Sequence, residues 1–178
     1  MPASARPLLY SNVTAHIQSR IRDSLGEHLM DNKTLVHNMI DNVFNKHDVT
    51  HLGTYYADKC QYHDAMMNTT GLADLRNNLK SYFNSFTSMK VVIHDQIVEG
   101  DRVCTRMTCS AKDTGGYLGR PATNKKFEMN AMQVDRVQSG HIVETWFYGD
   151  HLSMMQQLGM VPKFDAAKMT QPHQPSAK

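Results

Sequence analysis

The sequence predicts an α+β fold in which helices fill the concave side of one curved, mostly antiparallel sheet. Three observations predict it. Apolar residues in the first half recur at helical spacing, those of the second half fall into runs rich in β-branched and aromatic residues, and the links between these runs are short enough to make neighbouring strands antiparallel. At 178 residues the chain fits one domain with its own core. We expect a flexible start over residues 1–10, a single domain over 11–162 with an extra helix at 11–30, and a polar, proline-broken tail over 163–178 that is disordered.

The elements follow in order. Val13, Ile17, Ile21, Leu25 and Leu29 step by four and mark an amphipathic helix suited to packing across the domain or against a second subunit. Asp31-Asn32 caps a second helix, whose Leu35, Val36, Met39, Ile40, Val43 and Phe44 cover one broad face. Val49, Leu52, Tyr55 and Tyr56 suggest a short helix running into an extended piece at 59–63, and 64–70 is expected to be loop. From Gly71, the positions Leu72, Leu75, Leu79, Tyr82, Phe83 and Phe86 keep helical spacing. Strand-like runs then occupy 90–98, 102–112, 126–137 and 141–148. Gly149 ends the last of them, Asp150 offers a cap, and Leu152, Met155 and Leu158 stripe a short closing helix that Gly159 stops.

Composition excludes several function classes. Nineteen Lys plus Arg against seventeen Asp plus Glu leave a net charge of +2, too little and too scattered for a nucleic-acid surface. No apolar run approaches the length of a membrane span, and the start of the chain lacks a secretory hydrophobic core. Cys60, Cys104 and Cys109 are odd in number and lack paired metal spacing, so neither a disulfide framework nor a zinc site is expected, and they are expected as free thiols in a reducing cytosol. The glycines near Arg120, Lys125 and Lys126 are not followed by the strand-to-helix turn of a phosphate cradle.

Four short stretches carry a resemblance when taken in order: Asp101-Arg102-Val103; the Gly116 to Lys125 loop with Gly119-Arg120-Pro121; Gly140-His141-Ile142-Val143-Glu144-Thr145-Trp146; and Gln156-Gln157-Leu158-Gly159. In this order and spacing the chain resembles the SnoaL-like polyketide cyclases over roughly residues 33–162. The resemblance implies a cone-shaped α+β barrel shared with ketosteroid isomerase and nuclear transport factor proteins, a cavity between helices and sheet, and pairing through the convex sheet faces. It also implies cofactor-independent acid/base work on a small apolar carbonyl compound: cyclisation, isomerisation or hydration. In the name-giving cyclases the acid/base aspartate lies on the last strand, at the position of Phe147 here, and a histidine on the preceding strand falls at Gln133.

Phenylalanine moves no proton, so the acid/base group must be sought elsewhere. The reaction needs a base beside a carbonyl and a donor for the resulting enolate oxygen. Tyr62-His63-Asp64, at the end of an extended segment, is the leading candidate, with His63 as the proton carrier and Asp64 beside it. Asp150 is either a third acid/base candidate or simply the helix cap. Tyr62, Tyr82, Phe86, Met107, Met129, Gln133 and Phe147 are the expected ligand contacts, although a stripe such as Tyr82, Phe83 and Phe86 is also what plain core looks like. Alternation along the last strand sets Thr145 and Phe147 on one face and Glu144, Trp146 and Tyr148 on the other. With Phe147 inward, Trp146 and Tyr148 lie on the convex face, as a homodimer contact or as ordinary packing. Three functions compete: an enzyme, a binding protein that kept the pocket but not the cyclase aspartate, and a scaffold whose dimer surface, marked by the aromatic face, is the function.

Overall fold

A computed structural model describes residues 31–163. The expected helix at 11–30, the flexible start and most of the tail lie outside the described residues. Helix α1, Asn32–Met39, begins where Asp31 accepts hydrogen bonds from the Thr34 amide at 2.9 Å and its hydroxyl at 2.7 Å, which satisfies amides that the first turn leaves free. It widens into a π-helical turn, Ile40–Phe44. There follow the one-turn helix α2, Leu52–Tyr55, strand β1, Tyr56–His63, the short strand β2, Asn68–Thr70, and helix α3, Leu72–Ser85. Four long strands come next: β3, Phe86–Glu99; β4, Arg102–Asp113; β5, Lys126–Gln138; and β6, His141–Gly149. Helix α4, His151–Leu158, closes the domain.

The strands form one six-stranded sheet in the order β2-β1-β6-β5-β4-β3. The sheet is curved but not closed, with β2 and β3 as its edges. Pairing is antiparallel except between β1 and β6, which run parallel. Register shifts between Thr87 and Lys90, between Ile93 and Asp95, and between Arg136 and Val137 interrupt the ladders. Such bulges bend a strand and let long neighbours curl around a helical layer. Two expectations need correction. Residues 68–70 form a strand rather than loop, and Phe86, expected as the last helical position, instead opens β3, which starts four residues before the expected Lys90.

The helical layer is fastened to the sheet by polar clips as well as by burial. Asn45 accepts from the Val91 amide at 2.7 Å and donates to the Val91 carbonyl at 3.1 Å, standing in for a strand partner. His47 accepts from the Met89 amide at 3.0 Å and stacks on Phe83. Apolar packing divides in two. One cluster joins α1, α2 and α3 to the sheet through residues such as Val36, Leu52, Leu75 and Ile142, and the other lies under α4 around Phe86, Phe127, Met154 and Leu158. Truncating a fully buried residue such as Leu75 to alanine is expected to cost about 2–5 kcal/mol. Phe44, Phe83, Cys109 and Phe147 pack against both clusters, and the seam that they share is where the sheet stands off from the helices.

Candidate active site

A cavity of about 430 Å³ opens at that seam, within the range of small-molecule sites. Its walls are mainly apolar and adaptable: Met66, Met67, Met89, Met107 and Met129 line it together with Ile40, Leu79, Phe127 and Phe147. Thioethers on flexible stems conform to irregular shapes better than branched side chains do. Among the described residues the Asp, Glu, His, Lys and Arg side chains that reach it are Asp64 and His151 alone.

Those two residues are bonded to each other. Asp64 follows the last residue of β1, and His151 opens α4. His151 Nε2 lies 2.8 Å from Asp64 Oδ1, and both side chains are nearly nine-tenths shielded from solvent. The Met66 amide adds a long contact to the same oxygen, at 3.4 Å, while Asp64 Oδ2 accepts no hydrogen bond among the described residues and is not sealed off. His151 Nδ1 is the one buried side-chain nitrogen or oxygen among the described residues without a partner. With nothing holding Nδ1, Asp64 alone fixes the ring by hydrogen bonding, and Phe147 borders it at 6.1 Å between ring centroids.

Phenols surround the carboxylate. Tyr62 and Tyr82 line the cavity, and neither hydroxyl has a hydrogen-bond partner among the described residues. Burial holds both phenols well above their ordinary pKa, and the nearby charge of Asp64 pushes the same way; Tyr117, on the loop over the cavity, is raised by the same two causes. All three therefore stay protonated as hydrogen-bond donors. Burial also pushes the Cys109 thiol, in the same wall, up to about 12, which keeps it from acting as a thiolate. Among the described residues no group of three or more His, Cys, Asp or Glu is placed to hold a metal ion.

The sequence-derived candidates fall into three places. Asp64, Tyr62, Tyr82, Met107, Met129, Gln133 and Phe147 line the cavity. Phe86 does not; it is fully buried behind the wall, among Tyr82, Tyr117 and Phe127. Asp150 sits at the head of α4, where its carboxylate accepts from the Ser153 amide at 2.9 Å. His63 corrects the expectation that it would reach the cavity mouth. Side chains alternate along β1, so Tyr62 points in and His63 points out. On the outer face His63 bonds Glu144 at 3.0 Å and stacks on Trp146. Glu144 in turn takes a 2.8 Å hydrogen bond from Arg136, the main reason that its carboxyl is held below the usual range. Sequence reasoning missed His151, although its place directly after the capping Asp150, at the junction of last strand and closing helix, was a signal.

The family model for SnoaL-like polyketide cyclases matches residues 34–158. The chain belongs to this family. Solved structures agree on the fold. AclR from Streptomyces galilaeus superposes with a TM-score of 0.67 at 19% identity, over 77% of this chain and 86% of that one. IdmH from Streptomyces antibioticus gives 0.62 at 24%, over 73% and 99%. A Catenulispora acidiphila DSM 44928 protein of ketosteroid isomerase-like fold gives 0.61 at 18%, over 70% and 92%. At these identities the likeness shows the fold alone. Comparison with curated proteins returns no match. In this SnoaL-like chain the Asp64–His151 pair lies beside Phe147. No helix among the described residues is long and apolar enough to cross a membrane.

Proposed function

We propose that this SnoaL-like protein is a cofactor-independent acid/base enzyme of cyclase or isomerase type, acting on a small, uncharged, apolar carbonyl compound. The observation that carries the reading is the Asp64–His151 pair inside a mainly apolar cavity. In this reading Asp64 Oδ2 removes the proton next to the carbonyl, His151 holds the carboxylate in place through its other oxygen, and a phenol of Tyr62 or Tyr82 donates to the enolate oxygen. Among the described residues no Lys or Arg lines the cavity to offset Asp64 against a ligand carboxylate, which favours a substrate uncharged where it enters.

Phe147 favours a second reading, in which the cavity binds an apolar ligand without transforming it. The experiment that separates the two is deuterium incorporation at the α-carbon of 1-tetralone in D2O. Exchange faster with the protein than in buffer supports the enzyme. Saturable binding of the ketone without any exchange supports the binding protein.

The protein acts in this reading as a homodimer in a reducing cytosol. Tyr148 is 70% exposed and Ile97 is 68% exposed on the outer sheet face, flanked by Met132 and Trp146, and large apolar groups left in water there suit a second copy. The cysteines are free.

A further inference from the structure

Two residues beyond Gln133, on the same face of β5, Asp135 is fully buried. Its carboxyl accepts hydrogen bonds from Gln133 Nε2 and from Thr145 Oγ1, each at 2.6 Å. Since the Thr145 hydroxyl gives its proton to Asp135, the 3.2 Å contact between the Tyr56 hydroxyl and Thr145 Oγ1 has Tyr56 as donor. Two donors thus converge on the Asp135 carboxyl, and Tyr56 backs one of them. A carboxylate has no proton to give, so Gln133 must turn its nitrogen to Asp135 and its oxygen away. Gln133 is only 3% exposed and lines the cavity, and its Oε1 has no partner among the described residues yet is not sealed off. The space left for that oxygen is the cavity.

We infer that Asp135 is a positioning residue that fixes Gln133 with its carboxamide oxygen towards the cavity, making that wall an acceptor for a ligand hydroxyl. The inference rests on the cavity being a ligand site, and it narrows the ligand to an uncharged compound with an enol or phenol hydroxyl as well as a carbonyl. Burial raises the Asp135 carboxyl to about 6, against the opposing pull of the bonds from Thr145 and Gln133. Above that pH Gln133 presents its oxygen. Below it, protonated Asp135 donates to the amide oxygen, and a turned amide presents N–H to the ligand instead. Tyr56 and Tyr62 of β1 are the titratable groups that bear on Asp135, and burial keeps both neutral. Its register partners, Val103 on β4 and Thr145 on β6, carry no charge, and the core cluster that the helices bring to this face is apolar.

Two probes of one ring system separate the cases: 2-naphthol, which offers a hydroxyl, and 2-acetonaphthone, which only accepts. Calorimetric titrations at pH 7.5 and pH 5 are run on the wild-type protein and on Asp135→Asn, with circular dichroism as the check on folding. The wild type is expected to favour 2-naphthol by about tenfold at pH 7.5, the worth of one hydrogen bond, and to lose most of that preference at pH 5. In Asp135→Asn the preference is small and flat with pH. A folded variant that keeps the wild-type preference, or one whose preference still moves with pH, overturns the inference. If the variant does not fold, the wild-type series decides, and a flat preference overturns it. Binding of both probes without discrimination ends this inference alone; binding of neither ends the reading of the cavity as well.

Discussion

His151 Nε2 meets Asp64 Oδ1 at 2.8 Å across 87 residues of sequence. The contact exists because β1 runs parallel to β6, which brings the end of β1 beside the turn into α4. A hydrogen bond to a charged group contributes about 1.5–3 kcal/mol, so His151→Ala should slow proton abstraction about tenfold to a hundredfold. The check is the rate of 1-tetralone exchange beside a thermal unfolding curve. A rate within twofold of wild type would remove the histidine from the mechanism.

Gly149 presses close to Phe147, which borders the His151 ring. A Cβ there would sit 2.9 Å from Phe147 Cε1 and 3.2 Å from the Met129 thioether. Gly149→Ala should push Phe147 and Met129 into the cavity, lowering stability by about 1–3 kcal/mol, as overpacking does, and weakening 2-acetonaphthone binding. Unchanged melting temperature and affinity would show that the wall yields freely.

Asp135 should leave a mark on stability as a function of pH. Its folded-state pKa is raised to about 6, so between about pH 4 and pH 6 the folded protein holds a proton that the unfolded chain has released. Stability from this group is therefore greatest below pH 4, falls as pH rises through 6, and stays lower above it. A shift of roughly two units corresponds to about 3 kcal/mol. Urea unfolding at pH 4, 5, 6 and 7 should give a flatter dependence for Asp135→Asn than for the wild type; parallel curves would contradict the assignment.

The outer face gives an independent prediction. With Tyr148 70% exposed on it, Tyr148→Glu should weaken self-association at least about tenfold while leaving the cavity intact. Sedimentation velocity reads this directly. A wild type that sediments as a monomer, or a variant indistinguishable from it, would refute the proposed dimer.

The helices were legible because each buries one stripe at helical spacing, as Leu75 and Leu79 do in α3, and the hairpins because their links are short. The strand β2 and the parallel pairing of β1 with β6 were not, since neither local period nor link length encodes a partner far along the chain. At the site, adjacency drew attention to His63 beside Asp64, whereas parity was the better guide. Tyr62 and Asp64 are two apart and both reach the cavity, while His63 between them faces out. The same rule, carried two residues past Gln133, would have found Asp135. His151 had no parity signal, because its place depends on how α4 turns back over the sheet.

The most direct measurement is the rate of deuterium incorporation into 1-tetralone with Asp64→Asn, a nearly isosteric change that keeps a hydrogen-bonding partner for His151 but removes the base. Loss of a positioned general base typically costs 10²–10⁴-fold, so exchange should fall by about that factor while ketone binding and melting temperature stay close to wild type. Exchange that persists at the wild-type rate in a folded Asp64→Asn protein would contradict the account.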